Sequence, residues 1–159
     1  MFHPRILGLA GALSLATSML LAGPTAAAPV TPRSLYLTVP SFDFNQDWVC
    51  VGYVCSSTAD GVAISNVAGS GTIHWALVTD FFDGWDGTCN HVDEVGTFTF
   101  ATGSITEVSH HTDCAQPGLV VKTTFKVTGG TGRFKGVTGS GVELAGDRLD
   151  FTYLGIITR

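Results

Sequence analysis

The sequence lacks the motifs by which several enzyme and metal-binding classes are recognised. No Cys-x-x-Cys pair occurs, so a cysteine-based zinc site is not indicated. No Gly-x-Ser-x-Gly segment provides a nucleophile elbow. Acidic residues in segment 80–87 recur at every third position, whereas a calcium loop needs them at every second one. The sequence therefore predicts no metal and no cofactor, and it identifies no catalytic residue.

Basic residues and helical periodicity are also scarce. The chain has eight Lys and Arg against thirteen Asp and Glu, a net charge of −5. An acidic chain is a poor candidate for binding nucleic acid or an anionic membrane. A cluster of four basic residues at 122–135 is read as a solvated strand face and turn. Beyond the N-terminal segment, no stretch shows a convincing apolar period of 3.6, so the sequence does not predict a helical domain.

The N-terminal segment has the order of a secretory signal. A positively charged start is followed by a nearly unbroken apolar run at 6–22 and then by small residues at 23–28. This order predicts a signal peptide at 1–28, one domain at 29–159 and a secreted protein without a membrane anchor after cleavage. An uncleaved anchor is the alternative, and the proline and alanines behind the apolar run argue against it.

The four cysteines of an exported chain are expected to form disulfides. Two predicted strands, 95–101 and 104–109, form a hairpin about a turn at Thr102–Gly103, which would bring Cys89 and Cys114 almost opposite each other. Cys50 and Cys55 remain, and on a straight strand they would lie roughly 16 Å apart. A bend at 51–54, which Gly52 permits, would be needed to join them.

Alternation of side chains predicts strands through the rest of the chain. In segment 119–127, one face carries mainly apolar residues and the other carries Lys122, Thr124 and Lys126. Further strands are predicted at 35–39, 48–54, 62–67, 73–81, 137–144 and 149–153. Strands at this spacing, separated by Gly, Asn, Asp and Ser, indicate an antiparallel barrel or sandwich.

The segment 128–141, TGGTGRFKGVTGSG, contains six glycines. It fits neither a dinucleotide fingerprint nor a P-loop, and the residues after it predict a strand rather than the helix that a phosphate loop requires. We therefore interpret it as a backbone corner in which glycines adopt positive φ and one large apolar side chain anchors the turn. The residues assigned to this structural turn are Gly129, Gly130, Gly132, Phe134 and Gly136.

The same segment, extended to the strand that begins at Phe125, resembles the strand–Gly-Gly-x-Gly-x-Phe-x-Gly–strand signature of allene oxide cyclase-like and dirigent-like barrels. It is most similar to small exported bacterial members of that group. The resemblance implies an all-β fold, a single antiparallel barrel of about eight strands, often with an apolar cavity and in some relatives a dimer or trimer. The catalytic residues of the plant enzymes lie outside the signature, so none is carried over to this chain.

Two functions are consistent with these observations. The first, which we favour, is a non-catalytic exported barrel that binds a small apolar ligand or a partner surface. The second is a barrel cyclase or isomerase acting on a small apolar substrate, which needs polar groups inside the cavity. The candidates for such groups are His74, Glu143 and Tyr153, with His74 relevant only if it faces the interior.

Two further histidine segments have simple structural interpretations. His91 could form an acid–base pair with a carboxylate of Asp93 or Glu94, but the sequence identifies no nucleophile beside them. His110 and His111 are neighbours, and on a strand they would point to opposite faces, so they are not expected to share a metal.

Overall fold

A computed structural model describes residues 31–45, 47–80, 89–114, 121–145 and 150–159, without the side chains of residues 89, 113, 114 and 121. These residues form nine strands and a turn of 3₁₀ helix at Gly132–Phe134. They contain no helix that is long and apolar enough to cross a membrane. The strands are β1 Arg33–Phe44, β2 Val49–Val51, β3 Val54–Ser65, β4 Gly69–Asp80, β5 Cys89–Phe100, β6 Gly103–Cys114, β7 Val121–Gly130, β8 Thr138–Ala145 and β9 Phe151–Thr158.

The strands form a closed antiparallel barrel, which confirms the predicted fold class. The sheet order is β1-β9-β8-β7-β6-β5-β4-β3-β2, and an additional pairing of β1 with β3 closes eight of the strands into a barrel. β2 pairs only with β3 and extends the sheet as a ninth strand. The register of β1 against β3 shifts between Thr38 and Ser41, a bulge that contains Pro40, whose missing N–H suits it to such a site.

The segment predicted as one strand at 48–54 is a hairpin, so that prediction is wrong. β2 ends at Val51, β3 begins at Val54, and Gly52 in the turn has φ 65°. Cys50 and Cys55 are direct cross-strand partners and form a disulfide. The structure therefore contains the bend that the sequence required, at the glycine that permits it.

The β5–β6 hairpin has its turn one residue earlier than predicted. β5 ends at Phe100 and β6 begins at Gly103, so Ala101 and Thr102 form the turn. Gly103 is needed at the start of β6 because a Cβ there would lie 2.2 Å from the carbonyl oxygen of Thr131. With this register, Cys89 and Cys114 are direct backbone partners. Their side chains lie outside the described ones, so the Cys89–Cys114 disulfide stays a prediction.

We expect peptide mapping without reduction to recover Cys89 linked to Cys114. The backbone register brings the two residues opposite each other, and a bridge that closes a loop of about 25 residues should add about 3 kcal/mol to the free energy of unfolding. The known Cys50–Cys55 bridge is the internal control for the digest. Recovery of Cys89 or Cys114 as a free thiol from freshly secreted protein contradicts the prediction.

The glycine corner links β7 to β8, and only part of its predicted geometry is correct. Gly132 and Gly136 have φ of 55° and 78°. Gly129 and Gly130 belong instead to β7, where their backbone is extended, so the positive φ predicted for them is wrong. Gly130 has a different reason to be glycine, because a Cβ there would lie 2.3 Å from the carbonyl oxygen of Ser104.

The amide groups of the corner are used within the protein. Thr131 and Arg133 donate to the carbonyls of Ser104 and Thr102 across the adjacent hairpin, both at 2.9 Å. The amides of residues 134, 135 and 137 donate to carbonyls within the corner itself. A phosphate loop needs free amides directed at the anion. The interpretation as a structural corner is therefore supported by the hydrogen bonds.

The corner should owe its stability to Phe134 and Gly132. Phe134 is buried and packs near Phe100, so Phe134→Ala should lower the free energy of unfolding by about 3 kcal/mol. Gly132→Val should cost about 1–3 kcal/mol because a β-branched residue is strained at positive φ. Arg133 is exposed, so Arg133→Ala should cost less than about 1 kcal/mol. Urea denaturation of the three variants tests this order, and a larger loss for Arg133→Ala than for Phe134→Ala contradicts it.

The barrel interior changes character along its axis. Near the corner it is filled by bulky apolar side chains, which form the core around Leu37, Ile73, Phe98, Ile105 and Phe125. Towards the opposite end, where β4 finishes and β5 starts, the buried positions carry small hydroxyl side chains. These are Ser57, Thr79, Ser109 and Thr123. Between the two halves lies a belt of ionisable groups.

Candidate functional site

The belt consists of all three glutamates of the chain. Glu94 on β5, Glu107 on β6 and Glu143 on β8 are each buried, with 6, 0 and 2 % of their surface exposed. Each follows the inward alternation of its strand, as the buried neighbours Val92 and Ile105 show for β5 and β6. The strand pattern itself therefore directs three carboxyl groups into the barrel.

Tyr153 on β9 joins these carboxyls into a network. Its hydroxyl lies 3.0 Å from Oε1 of Glu143 and 3.4 Å from Oε1 of Glu94, and it accepts a hydrogen bond from Nε1 of Trp75 at 3.2 Å. A phenol has one proton, so Tyr153 donates to one carboxyl at a time. The shorter distance favours Glu143, and Glu94 can then donate to the hydroxyl oxygen when it is protonated.

Aromatic rings connect this network to the outer part of the barrel. The ring of Trp75 packs against Phe42 and Phe151, with centroid distances of 5.5 and 5.3 Å. Both phenylalanines are only partly buried. Tyr153 packs edge-on against Phe98 and Phe125 at 5.1 and 5.3 Å. The carboxyls are therefore surrounded by aromatic surface, part of which is accessible to solvent.

Several oxygen atoms of the belt have no hydrogen-bond partner. Oε2 of Glu143 and the hydroxyl of Ser109 are buried and meet no group at hydrogen-bonding geometry. The carboxyl of Glu107 interacts with the backbone N–H of Gly96 and with the carboxyl of Glu94, but neither contact is a well-formed hydrogen bond. Leaving a buried polar group unpaired costs about 1–3 kcal/mol, and more for a charge. Such groups are rare in folded proteins and need an explanation.

The absence of a side chain at Gly96 leaves room for the carboxyl of Glu107. A Cβ at Gly96 would lie 2.2 Å from Oε1 of Glu107 and 3.2 Å from Cδ1 of Trp75. The two residues are direct cross-strand partners on β5 and β6, so their side chains compete for the same interior volume. The carboxyl of Glu107 can occupy the barrel axis because its partner has no side chain.

Burial raises the pKa of all three carboxyls, so that near neutral pH Glu107 and Glu143 are largely protonated and Glu94 is partly protonated. Loss of hydration raises the pKa of Glu94 to about 7. It raises the pKa of Glu143 to about 8, with a further contribution from the charge of Glu94. Burial and the charges of Glu94 and Glu143 raise the pKa of Glu107 to about 10. The pKa of Tyr153 is also raised well above its usual value, first by burial and then by the neighbouring carboxyls.

No basic side chain of the described residues neutralises the belt. Every described lysine and arginine is exposed on the outer surface. Nor do any three His, Cys, Asp or Glu side chains among the described residues converge in a way that could hold a metal ion. The arrangement can therefore hold protons, transfer them, or receive hydrogen bonds and positive charge from a bound molecule.

Of the three polar residues proposed from the sequence, two lie in this belt and one does not. Glu143 and Tyr153 are in the interior, bonded to each other. His74 lies on the outer face of β4, where its Nδ1 is 2.8 Å from Oδ1 of Asp60. More than half of its side chain is exposed, so the condition that His74 should face a cavity is not met.

The other histidine segments lie on or near the outer surface. His91 and Asp93 are exposed on β5 while Glu94 points inwards, so the three cannot form an acid–base pair. His110 is exposed and bonds Asp93, whereas its neighbour His111 lies on the opposite face and is partly buried. The acidic segment 81–87 lies outside the described residues.

Sequence reasoning missed Glu94, Glu107 and Trp75 as members of one site. The strand containing Glu94 was predicted to begin only at residue 95, so its inward register was not followed back to the carboxyl. A usable signal was present for two of the glutamates, since Glu94 and Glu107 are each two residues from an apolar residue that is buried, Val92 and Ile105. The chain has no other glutamate.

Comparisons with known proteins add little to this picture. The chain matches no protein-family profile and no curated protein. One solved structure, described as a pyocyanin demethylase, aligns with a TM-score of 0.42 and 13% sequence identity, over 78% of this chain and 99% of that one. A likeness at this level carries no argument about activity.

Proposed function

We propose that this protein is an exported, non-catalytic barrel that binds a small molecule in its interior, beside the carboxyl belt. The observation that carries the proposal is the set of buried oxygens that lack a well-formed hydrogen bond, on Glu107, at Oε2 of Glu143 and on Ser109. A ligand with an apolar body and a donor group would satisfy these oxygens and pack on the rings of Trp75 and Tyr153. Sites that combine apolar lining with a few polar groups are typical of ligand pockets.

We propose that such a ligand occupies the interior beyond the belt. An eight-stranded barrel is just wide enough for side chains to fill it or for one small ligand to occupy it. On the corner side the filling is complete, with Phe98, Phe125 and other large side chains. On the other side the inward positions include Ser109 and Thr123, whose side chains are small.

A pair of adjacent threonines provides the test. Thr123 points into the barrel and Thr124 is exposed on the outside of the same strand. Thr123→Phe places a large ring in the proposed binding space beyond the belt, so it should abolish binding of the neutral fluorescent probe N-phenyl-1-naphthylamine. Thr124→Phe should retain binding of the probe. Thr123→Phe should keep its melting temperature. If there is no such space, this substitution overpacks the core and costs about 1–3 kcal/mol, and the wild-type protein does not bind the probe.

Export is supported by the signal-like N-terminal order and by the Cys50–Cys55 disulfide, a bond typical of oxidising compartments. Residues 1–30 lie outside the described part of the chain. We expect N-terminal sequencing of the protein from culture supernatant to begin just after Ala28. Recovery of Met1 in a membrane-bound form contradicts this expectation.

A barrel cyclase or isomerase is the second candidate, and the spread of pKa values favours it. Glu94, with a pKa of about 7, and Glu143, with a pKa of about 8, could donate and accept protons at neutral pH through Tyr153. If the barrel is an enzyme, Glu94→Gln should abolish turnover of a bound substrate while leaving its affinity nearly unchanged. A purely binding role predicts no turnover in either protein.

The relation to allene oxide cyclase-like barrels is also a proposal. The closed eight-stranded barrel and the glycine corner with its buried Phe134 support it. The homo-oligomer implied by that resemblance is a further proposal, which light scattering coupled to size-exclusion chromatography would test.

A further inference from the structure

Building on the proposed function, we infer that the ligand carries a protonated amine, which binds between the carboxyls of Glu107 and Glu143 with its apolar body against the aromatic rings. The inference goes beyond ligand binding because it assigns the charge and the donor chemistry of the bound molecule. It depends on the charge balance inside the barrel, on the unpaired oxygens and on the aromatic rings beside them.

The interior contains acidic groups from four strands, and none of the described lysines or arginines faces it. The titratable groups that face it are Glu94 from β5, Glu107 and His111 from β6, Glu143 from β8 and Tyr153 from β9. The described inward positions of β1, β3, β4 and β7 carry only uncharged side chains. A buried carboxylate is stable only when it is paired or coordinates a cation. No described lysine or arginine pairs with these carboxyls, so a cationic ligand would supply a partner for their charged form.

The unpaired atoms match an ammonium group better than a metal ion. Oε2 of Glu143 on β8 and the hydroxyl of Ser109 on β6 are unpaired, and the carboxyl of Glu107 has no well-formed hydrogen bond. An ammonium group has up to three N–H donors and can reach several acceptors at once. The described side chains do not converge closely enough to hold a metal ion. A cation that donates hydrogen bonds suits these acceptors better.

The surrounding rings favour an organic cation over a hydrated inorganic one. Trp75 and Tyr153 bond to each other directly beside the carboxyls. Phe42 and Phe151 extend the aromatic surface from Trp75 towards solvent, with a centroid distance of 5.2 Å between them. Aromatic faces attract cations through their quadrupole and also pack against apolar groups. An amine attached to an aromatic or aliphatic body uses both properties.

Cation binding should be coupled to proton release. Without ligand, Glu107 and Glu143 hold their protons at neutral pH, because burial raises the pKa of each. An ammonium ion favours the carboxylate form and lowers those pKa values, so binding expels a proton. Affinity should therefore rise with pH, up to about tenfold per pH unit for each proton released, while the amine itself remains protonated.

Three matched probes separate charge from shape in the full-length mature protein. Benzylamine, benzyl alcohol and benzoate have the same ring and differ in the charge of the attached group. Isothermal titration calorimetry at about pH 6, 7 and 8 should show benzylamine binding more tightly at each higher pH, weaker and pH-independent binding of the alcohol, and no binding of benzoate. Repeating the benzylamine titration in buffers of different ionisation enthalpy should detect the released proton.

Variants identify the residues that hold the amine. Glu107→Gln and Glu143→Gln keep the side-chain shape and should each weaken benzylamine binding at least tenfold, while leaving binding of the alcohol within about twofold. Asp93→Asn is the control, because Asp93 is an exposed acid on β5 and should not affect either probe. Circular dichroism should show that each variant is folded. If one Gln variant does not fold, the other still tests the assignment.

The outcomes distinguish this inference from the proposed function. Equal, pH-independent binding of benzylamine and benzyl alcohol would overturn the amine assignment and retain a ligand-binding barrel. Benzylamine binding that survives in both Gln variants would also overturn it. Failure of all three probes, together with failure of the neutral fluorescent probe, would overturn the amine inference and the proposed function together.

Discussion

The free energy of unfolding should fall steadily as the pH is raised from about 5 to about 9. Most proteins rich in surface carboxylates behave differently over the lower part of this range, because acids that are paired in the folded state gain stability as they ionise. The expected decline here comes from the three interior glutamates and should be visible in urea denaturation at a series of pH values.

The free energy of unfolding falls with rising pH because the pKa values of the three glutamates are raised on folding. The pKa values of Glu94, Glu107 and Glu143 rise from 4.5 to about 7, 10 and 8 on folding. At a pH between 4.5 and the folded-state pKa of each glutamate, the folded protein holds a proton that the unfolded chain has released. Its stability is therefore fully present below about pH 4.5 and is lost as pH rises through the folded-state values, by roughly 1 kcal/mol per pH unit for each retained proton.

Replacing one of these acids with its amide should remove part of the decline. Glu107 has the most strongly raised pKa, so Glu107→Gln should reduce the slope by roughly 1 kcal/mol per pH unit and make the protein more stable than the wild type at about pH 8. Asp93→Asn, on the exposed face, should leave the slope unchanged. A wild-type stability that is constant or rising across this interval would show that the interior carboxyls are not protonated as described.

Loss of Tyr153 should be the most damaging single substitution in the barrel. Tyr153 has no exposed surface, and its ring packs against Phe98 and Phe125. Its hydroxyl accepts a hydrogen bond from Trp75 and donates one to Glu143. Tyr153→Ala creates a cavity in the packed half of the core and should cost about 3–5 kcal/mol. It also leaves the indole N–H and a carboxyl oxygen unpaired, which adds to the loss.

Two further variants separate packing from hydrogen bonding at this position. Tyr153→Phe keeps the ring and removes only the hydroxyl, so it should cost about 1–3 kcal/mol. The next residue, Leu154, points outwards and is 39% exposed, so Leu154→Ala should cost much less than Tyr153→Ala. The free energies from denaturant titration should follow this order. A neutral Tyr153→Phe variant would mean that the hydroxyl bonds do not contribute to the fold.

The fold could be predicted from the sequence because its signals are local. Alternation in segment 119–127 correctly places Thr123, Phe125 and Val127 on the buried face. The corner was predictable because its signals are local. Gly132 is required by the geometry of the turn, and Phe134 is the large apolar side chain that anchors it. The resemblance at the corner then supplied the number of strands.

The sequence predicted Glu143 and Tyr153 as interior polar groups but not the complete carboxyl belt, because the belt depends on register between distant strands. Glu94, Glu107 and Glu143 come together only when β5, β6 and β8 are set side by side in a closed barrel, and no local pattern fixes that closure. Gly129 and Gly130 were assigned to the turn for the same reason. Their pairing with Thr106 and Ile105 of β6 places these glycines in β7.

The central claim is that the three buried glutamates hold protons near neutral pH and exchange them for a bound cation. Because the chain contains only these three glutamates, protein labelled with carbon-13 at the glutamate side-chain carboxyl should give three NMR signals, one for each site. We predict that all three titrate above the ordinary glutamate pKa of about 4.5, and that benzylamine shifts at least the Glu107 and Glu143 signals towards the carboxylate form at constant pH. Three signals that titrate near 4.5 and do not respond to the amine would contradict the account.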